Sequence, residues 1–113
     1  MVQGNRSSFG AILLVPALAL PGLASAGEPD ATITIQGGKF TPADLSLPAG
    51  KKLKIVVHNA DQMPTEFESN DLHREKVVQP GAEAAVSVGP LDPGTYEFFD
   101  DFHPEDRGRL TIK

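Results

Sequence analysis

Two short stretches of the chain concentrate the side chains that could do chemistry. One is Tyr96-Glu97-Phe98-Phe99-Asp100-Asp101-Phe102-His103-Pro104-Glu105-Asp106-Arg107-Gly108, an aromatic segment running into carboxylates and one histidine. The other lies upstream: Met63-Pro64-Thr65-Glu66-Phe67-Glu68-Ser69-Asn70-Asp71-Leu72-His73-Arg74-Glu75. Carboxylates with an imidazole make a donor set for iron, Cu(II), manganese or zinc. The chain has no cysteine, which removes thiolate ligation, a cysteine nucleophile, disulfides and a cysteine lipid anchor. Hydrolytic chemistry finds no G-x-S-x-G turn. Gly37-Gly38 lacks the companion residues of a phosphate-cradling loop.

Charge narrows the class further. Ten Lys and Arg stand against fifteen Asp and Glu, net −5. That balance disfavours nucleic-acid binding, which needs clustered cations. Residues 1–26 read as a secretory signal peptide: a polar start with Arg6, an apolar run from Ala11 to Leu23 broken by Pro16 and Pro21, and the small-x-small sequence Ala24-Ser25-Ala26. The run is shorter than the roughly 20 residues of a membrane-spanning helix. With Arg6 set aside, residues 27–113 hold nine cations against fifteen acids, net −6. They form one small domain whose core has little to spare. Without disulfides it must stand on packing, or on packing plus a metal.

The elements that would position the two clusters are short strands. Residues 31–36 alternate and are β-branched, Gly37-Gly38 breaks them, Phe40-Thr41-Pro42 turns, and residues 45–48 form a short strand with Pro48 at its end. Residues 52–59 are the longest strand, with Leu53, Ile55 and Val57 on the core face and His58 turned outward. Residues 65–68 are extended, and 70–75 predict one helical turn capped by Asn70 or Asp71. Residues 77–79, 83–88, 95–99 and 109–113 complete the set, with Pro80-Gly81 and 89–94 as turns. Seven to eight strands with ten prolines and eleven glycines predict an all-β sandwich or barrel.

Three motifs then carry a resemblance. Phe40-Thr41-Pro42-Ala43-Asp44-Leu45-Ser46-Leu47-Pro48-Ala49-Gly50 matches an F-x-P-x-x-L-x-(V/L)-x-x-G opening. A long strand ends in Asn59, and Pro93-Gly94-Thr95-Tyr96-Glu97-Phe98-Phe99 matches a P-G-x-Y-x-F strand. In this order they resemble a cupredoxin over residues 27–113, which implies a cupredoxin-like Greek-key β-sandwich. Blue-copper members take Cys, His and Met from the last loop and a first His from the upstream one. Here Asp100 matches the cysteine position, His103 the histidine, and Glu105-Asp106-Arg107 lie near the methionine. The first-ligand position falls on Thr65 or Glu66. Phe67, as the core residue two places on, favours Thr65; the abundance of acids and a one-residue loop insertion favour Glu66.

The resemblance therefore implies a metal corner that has lost its soft ligand. Glu66, Asp100 and His103 form the expected set, helped by Glu68, with Met63 a soft candidate. Asp101, Glu105 and Asp106 read as rim charges, and His73 with Asp71 as a second, outer pair. Tyr96, Phe98 and Asp100 share strand parity, so Asp100 faces inward, where a carboxylate needs a cation or a proton. Arg74, Arg107 and Arg109 are the alternatives to a metal. The acidic segments are also similar to the cupredoxin-like domain of bacterial periplasmic iron-uptake proteins of the EfeO and FtrB type. That similarity implies a periplasmic protein binding Fe(II) or copper, with ferroxidase-like oxidation a further option, beside a periplasmic iron-binding partner and a membrane iron permease. A non-redox copper or zinc carrier and a metal-free interaction domain are the rival readings.

Overall fold

The computed structural model describes residues 27–113; the signal peptide expected over residues 1–26 lies outside them. Nine strands follow in order: β1 (Ala31–Gln36), β2 (Lys39–Thr41), β3 (Asp44–Leu47), β4 (Leu53–Asn59), β5 (Thr65–Ser69), β6 (Arg74–Val78), β7 (Glu83–Val88), β8 (Gly94–Asp100) and β9 (His103–Ile112). They form two sheets, ordered β2-β1-β4-β7 and β3-β9-β8-β5-β6. Parallel pairs β1–β4 and β3–β9 join otherwise antiparallel neighbours. This is the all-β sandwich that the strand pattern predicts.

The core follows from period-two alternation. Leu53, Ile55 and Val57 of β4, Ile33 and Ile35 of β1, Phe67 of β5, Phe98 of β8 and Leu110 and Ile112 of β9 are all buried between the sheets. Phe98 stacks on Phe67 at 5.2 Å and meets Phe40 edge-on at 5.0 Å, a favoured aromatic arrangement. Gly108 makes room for this cluster. A Cβ there would overlap the Phe98 ring and stand 2.7 Å from the Ala43 carbonyl oxygen.

Three local expectations are corrected. The count of strands is nine rather than seven or eight, because residues expected to turn at Phe40-Thr41 pair with β1 as β2. The helical turn predicted over 70–75 is a tight turn leading into β6, and no helix occurs among the described residues. Side chains compete with the helix there: Ser69 Oγ accepts the Leu72 N–H at 3.1 Å, and the Asp71 carboxylate accepts the Glu97 N–H at 2.8 Å. The acidic segment from His103, left outside the strands expected at 95–99 and 109–113, is extended. It begins β9, and Asp100 pairs directly with His103 across a tight hairpin.

Candidate metal centre

Position at one end of the sandwich is set by two connections, the β4–β5 loop and the β8–β9 hairpin. Fully buried Asn59 holds the first. Its Nδ2 donates to the Met63 carbonyl at 2.7 Å and the Val78 carbonyl at 3.0 Å, while its Oδ1 accepts the Asp61 N–H at 2.9 Å. Asp61 in turn accepts the N–H groups of Gly37 and Gly38 at 2.7 and 2.9 Å. Both glycines have left-handed backbones, which aim their N–H groups together at one carboxylate.

Asp100 holds the hairpin. Its residue is 3 % exposed. Oδ1 accepts the N–H groups of Glu66 and Phe102, each at 3.0 Å. Oδ2 stands 3.4 Å from His103 Nδ1. Burial alone would raise the Asp100 pKa, but the Thr65 hydroxyl, the two N–H groups and His103 outweigh it and hold the carboxyl below its ordinary value. Asp100, His103 and Asp106 offer donor atoms that all lie within 4.8 Å of one another. Asp100 and His103 line a cavity of about 330 Å³ together with Met63, Thr65 and Gly38, and Asp106 stands outside that lining. Thr65 is 2 % exposed, and its hydroxyl stands near the Asp100 carboxylate without closing a well-aligned hydrogen bond.

A second donor group occupies the other face of β5. Thr65, Phe67 and Ser69 point inward, so Glu66 and Glu68 point out. With Asp101 they place three carboxylates within 4.8 Å, and Glu75 stands directly opposite Glu68 in the strand register. Partial desolvation, then Glu75, Asp101 and Glu68, raise the Glu66 pKa; desolvation, Asp101 and Glu75 raise that of Glu68. Among the described residues no ion pair compensates this face. Arg107 pairs with Glu97 and Arg109 with Asp44, each at 3.2 Å, while Arg74 donates to the carbonyls of Ser87 and His73. The arginines considered as partners for Asp100 are therefore engaged elsewhere.

The residues expected to form one set thus fall into two. Asp100, His103 and Met63 gather at the cavity; Glu66 and Glu68 gather outside it with Asp101. Period two separates them, since neighbours on one strand cannot share a face. Thr65, not Glu66, holds the inward position, as the burial of Phe67 two residues on requires. Asp101 and Asp106, read as rim charges, each join a donor group. Both are placed by the hairpin register, a long-range pairing that lies outside the strands expected at 95–99 and 109–113. Asp71, of the expected outer pair with His73, accepts the Glu97 N–H through Oδ2.

The sequence profile described as "Cupredoxin-like domain" matches residues 9–112. The chain is 47% identical over 73 residues to uncharacterized protein RP394 of Rickettsia prowazekii, covering 65% of this chain and 58% of that protein. It is 29% identical over 106 residues to the iron uptake system component EfeO of Yersinia pseudotuberculosis, covering 90% of this chain and 28% of that protein. Against both relatives the chain spans less than two thirds of their length. Similar solved folds include a purple cupredoxin from Nitrosopumilus maritimus, with TM-score 0.60, 22% identity and coverage of 74% of this chain and 100% of that one. Another is amicyanin from Paracoccus versutus, with TM-score 0.62, 19% identity and coverage of 80% and 88%.

Proposed function

The chain belongs to the cupredoxin-like domain family, and on that premise we propose that it is a periplasmic iron-binding protein of an iron-transport system. The outer carboxylate group of Glu66, Glu68 and Asp101 takes Fe(II) as cargo. The observation that carries this reading is the absence, among the described residues, of any Lys or Arg paired with these three acids. They sit on a sheet where Glu68 already faces Glu75. Like charges directly opposite one another across strands are destabilising, and a bound cation relieves that repulsion with hard oxygen donors suited to iron.

A thiolate copper centre does not fit. Two similar solved structures are Cu(I) forms of amicyanin variants, whereas this chain holds no cysteine and places Asp100, with both backbone N–H bonds made, at the corner. The outer face needs none: its carboxylates are half-buried or exposed, so an ion can enter and leave without the core opening. That accessibility suits hand-over to a periplasmic iron-binding partner and a membrane iron permease, and the EfeO relative is named as an iron uptake system component. Oxidation of bound Fe(II) would release one electron and so require dioxygen or a redox partner as acceptor. His103 favours the second reading, a copper or zinc carrier, because imidazole suits those ions.

Anaerobic Fe(II) titration of the full chain by calorimetry tests the proposal, with a Glu66→Gln/Glu68→Gln double variant beside it. Wild type binds more tightly than about 1 mM, and the double variant binds about tenfold or more weakly. Equal affinity in the two proteins, or no binding by wild type, refutes it.

A further inference from the structure

We propose that the outer face of β5, β6 and the β8–β9 hairpin is a docking surface for a protein partner that presents cationic side chains together with apolar ones. Where an ion is bound, such a partner displaces it by taking the same carboxylates. That consequence rests on the iron-binding reading; the surface itself does not.

The strand register lays the face out in two rows. One runs from Val77 to Glu66 and on to Asp101, whose N–H binds the Glu66 carbonyl. The other runs from Glu75 to Glu68, Phe99 and Arg107. Val78 is buried, so its neighbour Val77 points out to solvent on the side of Glu66. Glu66, Glu68, Glu75 and Asp101 therefore share their face with apolar side chains, and Arg107, at the far end of the second row, is paired with Glu97 at 3.2 Å.

Three large hydrophobic side chains are exposed among the described residues, and two of them adjoin this acidic group. Val77 is 47 % exposed at the sheet edge, and Phe102, which follows Asp101 in the hairpin turn, is 48 % exposed. A merely solvated acidic face has no use for either. To a partner they offer apolar anchors, and the carboxylates beside them set the sign of the charge it must bring, since complementary potentials steer association and reject wrong partners. A second copy of this chain, net −5, would bring the wrong sign. Addition of a strand at the β6 edge is also disfavoured. Arg74, Glu75 and Lys76 guard that edge with charge, and Arg74 is tied to the carbonyls of Ser87 and His73. The partner accordingly lies on the face.

An ion and an incoming Lys or Arg need the same carboxylate oxygens. A bound divalent ion cancels part of the charge that attracts the partner. Docking must lower the affinity for the ion by the same factor, because binding free energies are reciprocally linked. The ion then leaves as the partner seats, and two apolar anchors make the contact a small, transient one.

Two synthetic peptides of equal length and charge test the proposal, one alternating Arg with Leu and the other Arg with Ser. Each is titrated into the isotope-labelled, metal-free full chain, and amide shifts are followed by nuclear magnetic resonance. Shifts should concentrate in β5, β6 and the β8–β9 hairpin. The Arg–Leu peptide should bind about fivefold or more tightly than the Arg–Ser peptide, and Val77→Ser/Phe102→Ser should remove that advantage. Both side chains are exposed, so this double variant folds as wild type does by circular dichroism. Glu66→Gln/Glu68→Gln should weaken both peptides, as should raising the salt from about 0.01 M to about 0.15 M. In anaerobic calorimetry, Fe(II) should weaken the Arg–Leu peptide by the factor by which the peptide weakens Fe(II). Shifts scattered over all acidic surfaces, equal binding of the two peptides, or a preference that survives in Val77→Ser/Phe102→Ser would overturn the proposal. So would Fe(II) and peptide bound together with neither weakened. Failure of the iron reading has a different signature: the Arg–Leu peptide docks on this face with its preference intact while calorimetry detects no Fe(II), which refutes the ion site and upholds the surface.

Discussion

Replacing Glu66 by Gln should stabilise the metal-free protein while weakening the proposed binding of iron. Glu66 is half-buried on the outer face of β5, and its pKa is raised by desolvation, then by Glu75, Asp101 and Glu68. The folded state therefore binds the Glu66 proton more tightly than the unfolded chain does. Its contribution to stability is full below the unfolded value, about 4.3, and is lost as pH rises through the higher folded value. At neutral pH the charge is a net cost. Solvent screening on an exposed sheet face keeps that cost small, about 0.5 kcal/mol for the like-charge contacts taken together. In a domain of this size that corresponds to a rise of about 2–4 °C in Tm. Thermal unfolding in a chelator at pH 7 and low salt should show the rise. It should shrink at about 1 M salt, where the Debye length falls to about 3 Å, and vanish below about pH 4, where glutamate is protonated in both states. A variant less stable than wild type at pH 7, or a gain that persists at pH 3, would show that the carboxylates are satisfied within the protein and need no cation.

Two further substitutions test the scaffold behind the site. Gly108→Ala pushes a methyl group into the Phe98 ring and toward the Ala43 carbonyl, and should cost about 1–3 kcal/mol by overpacking in denaturant unfolding; a loss under about 0.5 kcal/mol, the size of an ordinary surface change, would mean that β9 shifts freely. Asp100→Asn should destabilise the hairpin by about 1–3 kcal/mol at pH 7. Because the folded pKa of Asp100 is depressed, its stabilisation is present above the unfolded value near 3.9 and is lost as pH falls through the folded value. The gap between wild type and Asp100→Asn should therefore close in acid, and a gap constant from pH 7 to pH 2 would show that shape alone accounts for it.

The sandwich was legible because alternation is written directly into the chain: Leu53, Ile55 and Val57 declare the core face of β4, and Tyr96, Phe98 and Asp100 that of β8. What was not legible is register. Nothing local in His103-Pro104-Glu105-Asp106-Arg107 distinguishes an acidic loop from the first half of a strand, since Pro104 and four polar side chains suit either. The pairing of Asp100 with His103 and of Phe98 with Gly108 decides it, and pairing is a long-range property. Likewise Arg74-Glu75-Lys76 has no strand pattern, because β6 lies at the sheet edge and buries only Val78.

That same register explains why one expected metal set became two donor groups. Asp100 and Asp101 are neighbours in sequence, but the hairpin turns between them. Asp100 enters the cavity beside His103, and the Asp101 N–H binds the Glu66 carbonyl while its carboxylate joins Glu66 and Glu68 outside. A cysteine at position 100 would bring only a sulfur to the corner. An aspartate there also takes the Glu66 N–H through its side chain and so helps to anchor the strand carrying the outer carboxylates. Asp100 in this way links the two carboxylate groups, and a substitution there should disturb both, whereas His103→Gln should disturb the inner one alone.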